Sequence, residues 1–197
     1  MVPVRMSTSL LIVVVLLTLP GFGACQGKSA APGGKTEAEG IVDSVIDRLW
    51  VLTDLHWHKG EYNHIVNLCR MVTAADPSRV DAYGNAGWLL WSMDRDAEAV
   101  ALYQEGLKAN PTSYYMYDEI GYYYFLRKKD YPAAVKYLEQ AAKMPDARAL
   151  TLHSLAHAYE KTGNLEMCVK TWERAAKDPE DAAARTNLTR IRKKIRG

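Results

Sequence analysis

Almost no net charge remains on this chain: 25 Lys and Arg offset 23 Asp and Glu over 197 residues, leaving +2. A nucleic-acid binder that neutralises many phosphates needs a concentrated basic face, so nucleic acid is not an expected partner. Cysteine is scarce, at three residues. Cys69 and Cys168 lie far apart in sequence, each on an apolar helix face, which predicts reduced, buried thiols and not a disulfide. There is no Gly-rich phosphate loop, no nucleophile elbow and no serine, histidine and acid at a triad-like separation. Catalysis therefore has no sequence support; no cofactor is expected and a small-molecule ligand is disfavoured. No strand-like alternation competes with the helical periodicity. What remains is ordinary for a globular chain, 48% hydrophobic and 24% charged, enough for one domain or one short repeat array.

The N-terminus reads as a targeting segment. Arg5 supplies a positive charge, and Leu10 to Leu19 is almost wholly aliphatic before Pro20 and Gly21 break it. That run is about half of the roughly 20 apolar residues a membrane-spanning helix requires, so residues 1–24 are expected to be a cleaved signal peptide, with an uncleaved anchor as the alternative. Gly23, Ala24 and Cys25 resemble the lipobox of bacterial lipoproteins, with Phe22 departing from the aliphatic residue usual there. The resemblance implies that Cys25 is acylated and anchors an exported protein to a membrane; cleavage and release is the other outcome. Gln26 stands where an inner-membrane lipoprotein often has Asp, so in a cell with two membranes the resemblance favours the outer membrane or periplasm. Residues 25–40, rich in Gly, Ala, Ser, Lys and Pro without apolar period, read as a flexible linker.

Beyond residue 40 the chain repeats. Pro77 and Pro111 stand 34 residues apart, and between them run Tyr83-x-x-Ala86-Gly87-x-x-Leu90 and Ala99-x-x-x-Tyr103. The same frame projected backwards gives Leu49-x-x-Leu52-Thr53-x-x-His56, Gly60 in a turn, and Ile65-x-x-x-Cys69. Forwards it gives Tyr117-x-x-Ile120-Gly121-x-x-Tyr124 and Ala134-x-x-x-Leu138, after one extra residue in the Arg127 to Asp130 turn. A fourth unit reads Leu152-x-x-Leu155-Ala156-x-x-Tyr159, Gly163-Asn164, and Cys168-x-x-x-Trp172. This pattern resembles the tetratricopeptide repeat. The resemblance implies an all-α fold, a solenoid of helical hairpins in a right-handed superhelix, with units at about 46–79, 80–113, 114–148 and 149–179 and a basic capping helix at 180–197. The small residue of each unit lets two antiparallel helices approach, and stacked units share one core because no hairpin can bury its apolar face alone.

In peptide-binding members of that family, the first helices of successive units line a concave groove. Carried onto this frame, the groove positions are Asp47, Trp50, Val51, Asp54, Trp57 and His58 in the first unit, and Asp81, Gly84, Asn85, Trp88, Trp91 and Ser92 in the second. The third contributes Tyr115, Asp118, Glu119, Tyr122, Phe125 and Leu126; the fourth contributes Leu150, His153, Ser154, His157, Glu160 and Lys161. Four of the five tryptophans fall on these positions. An aromatic groove edged by Asp and Glu suits an extended peptide with apolar and basic residues. The same rings suit sugars, so a peptidoglycan-type glycan is the rival ligand, and plain packing between units is the structural alternative. Only Asn85 matches the Lys, Arg and Asn set with which chaperone-binding relatives clamp a C-terminal carboxylate, which disfavours an acidic tail.

Two histidine groups invite a metal reading. His56, His58 and His64, with Cys69, crowd the first turn, but the frame puts them on different faces and no metal site is expected there. His153 and His157, four residues apart, share a helical face and would be the ligands of a metal-dependent enzyme, a distant alternative to groove lining. The C-terminal run Arg185, Arg190, Arg192, Lys193, Lys194 and Arg196 reads as the solvated face of the cap near the negative end of its dipole. The expected function is non-catalytic: an exported, lipid-anchored scaffold that binds a protein or peptide in its groove, in the assembly of an envelope complex.

Overall fold

A computed structural model describes residues 36–197. The segment expected to be a signal peptide (1–24), Cys25 and most of the stretch expected to be a linker (25–40) lie outside the described residues. Among those described there are no strands, and no helix is long and apolar enough to cross a membrane. The elements are helices: α1 (Glu37–His58), α2 (Tyr62–Ala75), α3 (Val80–Ser92), α4 (Asp96–Ala109), α5 (Tyr114–Tyr122) continuing into a π-helical segment (Tyr123–Lys128), α6 (Tyr131–Lys143), α7 (Ala149–Lys161), α8 (Leu165–Ala175) and α9 (Ala182–Arg196). α1 begins at Glu37, inside the stretch read as linker, because Gly40 does not break a helix that starts on Glu37 and Glu39.

Each helix packs chiefly on its neighbours in sequence, and α3 also touches α5. The molecule is a helical-hairpin solenoid ended by α9. Residues at the repeating positions form its interior: Tyr83, Ala86, Leu90, Ala99 and Tyr103 are buried in the second hairpin, and Leu152, Leu155, Ala156, Tyr159, Cys168 and Trp172 in the fourth. Two apolar clusters result, one from α1 to the π-segment and one from α6 to α9, with Tyr124 packed against both. Cys69 and Cys168 are buried and unbridged.

The small residues work by allowing contact. A Cβ on Gly87 would lie 2.2 Å from Tyr103 Cε1, and one on Gly121 would lie 2.6 Å from Leu138 Cγ. Turns also recur, since one residue in each hairpin turn has positive φ: Gly60 (+71°), Asp94 (+62°), Lys129 (+53°) and Gly163 (+79°). Glycine takes this left-handed conformation without steric cost, whereas Asp94 and Lys129 carry a penalty.

The extra residue of the third unit is not looped out. It is absorbed in the π-helical segment, whose wider turn turns Arg127 onto the second hairpin, with Nη2 at 2.6 Å from Asp94 Oδ1 and 2.8 Å from Asp96 Oδ2. Tyr123 donates its hydroxyl to Asp96 at 2.9 Å. Side-chain caps fix four helix starts: Ser113, Asp130, Asn164 and Asp181 accept from backbone N–H groups three residues on.

Candidate functional site

α1 and α3 both pack on α2, and residues of all three helices line a cavity of about 620 Å³. Its walls carry Trp50, Val51, Asp54 and Trp57 from α1 and Asn85, Trp88 and Leu89 from α3; Ile65 and Cys69 of α2 line it as well. Six of the groove positions read from the sequence, Trp50, Val51, Asp54, Trp57, Asn85 and Trp88, thus meet at one place. Leu89, Ile65 and Cys69 were not among the groove positions, although the last two are core positions of the repeat frame.

The aromatic wall is continuous. The rings of Trp57 and Trp88 lie 5.9 Å apart at 30°, Trp88 meets Trp91 edge-on at 6.0 Å, and Tyr62 meets Trp57 edge-on at 5.6 Å. Trp57 and Trp88 remain 45% and 40% exposed, so burying them is still available to a ligand. Trp91 is not available in this way. Its Nε1 donates to the hydroxyl of buried Tyr103 at 3.2 Å, and its ring packs against the core.

Trp50 is half-buried, with the Arg79 guanidinium 5.5 Å from its ring centroid. Arg79 is also paired with Asp81 at 3.1 Å, and this hydrogen bond, with lesser contributions from Asp76 and Asp47, holds its charge. Asp81 thus holds Arg79 over Trp50, and neither Asp81 nor Asp47 lines the cavity, while Asp54 does. Burial pushes the Cys69 thiol up to about 12, with the Asp81 charge adding, so it lines the cavity as a neutral group and is no nucleophile.

In the third unit, Tyr115 packs its hydroxyl end over Gly84. Asp118 and Glu119 are half-buried acids. Burial raises both, and Glu119 is pushed up to about 7, with Asp118's charge adding and hydrogen bonds from Tyr115 and Tyr103 opposing. Tyr122 is half-buried beside them in sequence. None of these residues lines the cavity.

The fourth-unit histidines pack on α8, and one of them reaches the cap. His153 Nε2 lies 2.6 Å from Asp181 Oδ2, the same aspartate that caps α9, and both imidazoles pack on the buried Trp172 ring at 5.1 and 5.0 Å. Burial lowers the pKa of His157. The pair is thus turned to α8, and His153 also reaches α9. The basic run of α9 is likewise partly spent: Arg190 and Lys194 pair with Glu160, and Arg192 with Glu173.

At the first turn the structure brings together two histidines that the repeat frame places on different faces. His56 and His64 do converge, on Glu61, a residue the sequence reading passed over. Glu61 Oε2 lies 2.6 Å from His56 Nδ1 and 3.8 Å from His64 Nδ1, while His58 is directed to Asp54 at 3.6 Å. Glu61 lies in the turn immediately before α2, where apolar periodicity gives no signal.

A family model described as a tetratricopeptide repeat matches residues 80–113. The fold is shared with solved structures of low identity. The crystal structure of MamA aligns at TM-score 0.61 and 18% identity, over 73% of this chain and 84% of that one. A structure titled as the functional characterisation of Pseudomonas aeruginosa pilF aligns at TM-score 0.65 and 16% identity, over 79% and 71%. That of PilW, titled a widely conserved type IV pilus biogenesis factor, aligns at 0.61 and 15%, over 75% and 68%. No curated protein matches.

Proposed function

We propose that this protein is a non-catalytic interaction scaffold that takes an extended protein segment into the cavity lined by α1, α2 and α3. One observation carries the reading: Trp57 and Trp88, both substantially exposed, flank a cavity of about 620 Å³ that also presents Trp50, Asp54 and Asn85. Exposed tryptophan beside a preformed concavity is the composition of a binding hot spot, since each ring offers large area at little conformational cost. Asp54 adds a carboxylate for a basic side chain, and the tryptophan faces favour a cation. The ligand chemistry is therefore an extended peptide with apolar and basic side chains. The fold supports this role, and one solved structure of the same fold is titled a pilus biogenesis factor.

Export and acylation at Cys25 complete the proposal: the scaffold is tethered to a membrane and acts in assembling an envelope complex. Mass spectrometry of the mature N-terminus tests the tether, and an unmodified residue 25 would overturn it. Binding is tested by placing a photo-crosslinking residue at Asn85, in the cavity, or at Met71, exposed on α2. The Asn85 probe is expected to capture a protein that the Met71 probe does not, and the Trp57→Ala, Trp88→Ala double variant is expected to lose it. Sedimentation with purified peptidoglycan that depends on the same two tryptophans would replace the peptide reading with a glycan one.

A further inference from the structure

We infer that His56, Glu61 and His64 form a binding site for a divalent transition-metal ion, zinc being the commonest fit, across the turn that joins α1 to α2. One ligand atom from each residue lies within 4.8 Å of the other two, and this is the only such group among the described residues. A tetrahedral ion with ligands at about 2.0–2.1 Å holds them roughly 3.3 Å apart. The pairs through Glu61 Oε2, at 2.6 Å to His56 and 3.8 Å to His64, lie on either side of that separation. Only small side-chain rotations are needed, and His64, whose side chain is 61% exposed, has room to make them.

The two rings meet edge-on with centroids 5.0 Å apart, so their nitrogens can face a common point without stacking. Two imidazoles and one carboxylate select zinc, copper, nickel or cobalt over magnesium or calcium, which prefer all-oxygen shells. Three protein ligands leave a further position open to water or to a donor from outside. The ion would fasten the last turn of α1 to the start of α2. The Trp57 and Tyr62 rings touch across the same turn, so the staple would fix one edge of the aromatic wall. The inference does not depend on what occupies the cavity.

Without an ion, the same geometry is a carboxylate shared by two histidines, and the experiment separates the two. Untagged full chain is titrated with zinc chloride by calorimetry and with cobalt chloride by visible absorption. The expected result is one ion per chain, a cobalt ligand-field band, and a melting midpoint raised by about 5 °C at a hundredfold excess over Kd and restored by EDTA. Glu61→Gln and His64→Ala alter exposed or half-exposed groups and should leave the helical circular-dichroism signal unchanged. Each is expected to weaken binding at least about tenfold. His58→Ala, next to the site but directed to Asp54, is expected to bind as the parent does. Absence of saturable binding below about 10 µM would overturn the inference, as would equal losses in His58→Ala and His64→Ala.

Discussion

Replacing Gly87 with alanine is the sharpest test of how the hairpins close. The added Cβ would lie 2.2 Å from Cε1 and 2.4 Å from Cζ of Tyr103, whose ring is fully buried and whose hydroxyl accepts from Trp91. Neither helix backbone nor a ring packed on all sides yields cheaply, so overpacking costs about 1–3 kcal/mol. Displacing the ring also strains the Trp91 hydrogen bond, for about another 1 kcal/mol. Alanine's better helix propensity returns about 1 kcal/mol. The net expectation is destabilisation by about 1–3 kcal/mol. Gly40 provides the control. It lies in α1 with nothing within 4 Å of its would-be Cβ, so Gly40→Ala should stabilise by up to about 1 kcal/mol. Urea unfolding of both variants, fitted with a common slope, measures the two differences. If Gly87→Ala proves as stable as the parent, or follows Gly40→Ala in sign, close helix approach is not what the small position provides.

Three further outcomes follow from the charges and turns. Glu119, raised from the usual 4.5 to about 7, keeps its proton in the folded state where the unfolded chain has lost it; its contribution is therefore greatest below pH 4.5, declines as pH rises to 7 and is flat above. Glu119→Gln should thus be more stable than the parent at pH 8, by about 1–3 kcal/mol, and lose that advantage by pH 4.5 in thermal melts across pH. The hydrogen bond from Arg127 holds Asp96 down at about 2, which gives stability above the usual 3.8 that is lost as pH falls toward 2. Arg127→Ala should lower the melting midpoint at pH 7 and do so much less at pH 2, read from the same melts. Lys129→Gly, which relieves a left-handed backbone, should raise stability by up to about 1 kcal/mol in urea unfolding, and Gly163→Ala should lower it by a similar amount.

The fold was legible because its determinants recur. Tyr83, Gly87 and Leu90 have counterparts in the other hairpins, and a contact that repeats leaves a period in the sequence. The cavity was partly legible for the same reason, since Trp50, Trp57 and Trp88 sit on that period. What escaped was set by single contacts between elements. The bond from His153 to Asp181 spans 28 residues and has no counterpart elsewhere, so nothing in the spacing announces that the capping helix takes that histidine. Trp91 occupies a groove position by count, yet its Nε1 finds Tyr103 on the next helix. Glu61 escaped because turns have no apolar period. The early start of α1 escaped because Ile41, Val42 and Val45 are exposed and leave no buried stripe to read.

The π-helical segment bears on how such an array tolerates insertion. The left-handed turn residues fall at 60, 94, 129 and 163, so the steps between them are 34, 35 and 34 residues. The added length is confined to Tyr123–Lys128, and each hairpin still changes direction at one left-handed residue. Removing one residue from that segment should return it to ordinary α-helix with the neighbouring hairpins undisturbed. It would also swing Arg127 off Asp94 and Asp96, so an insertion taken up within a helix has become a clasp between two repeats.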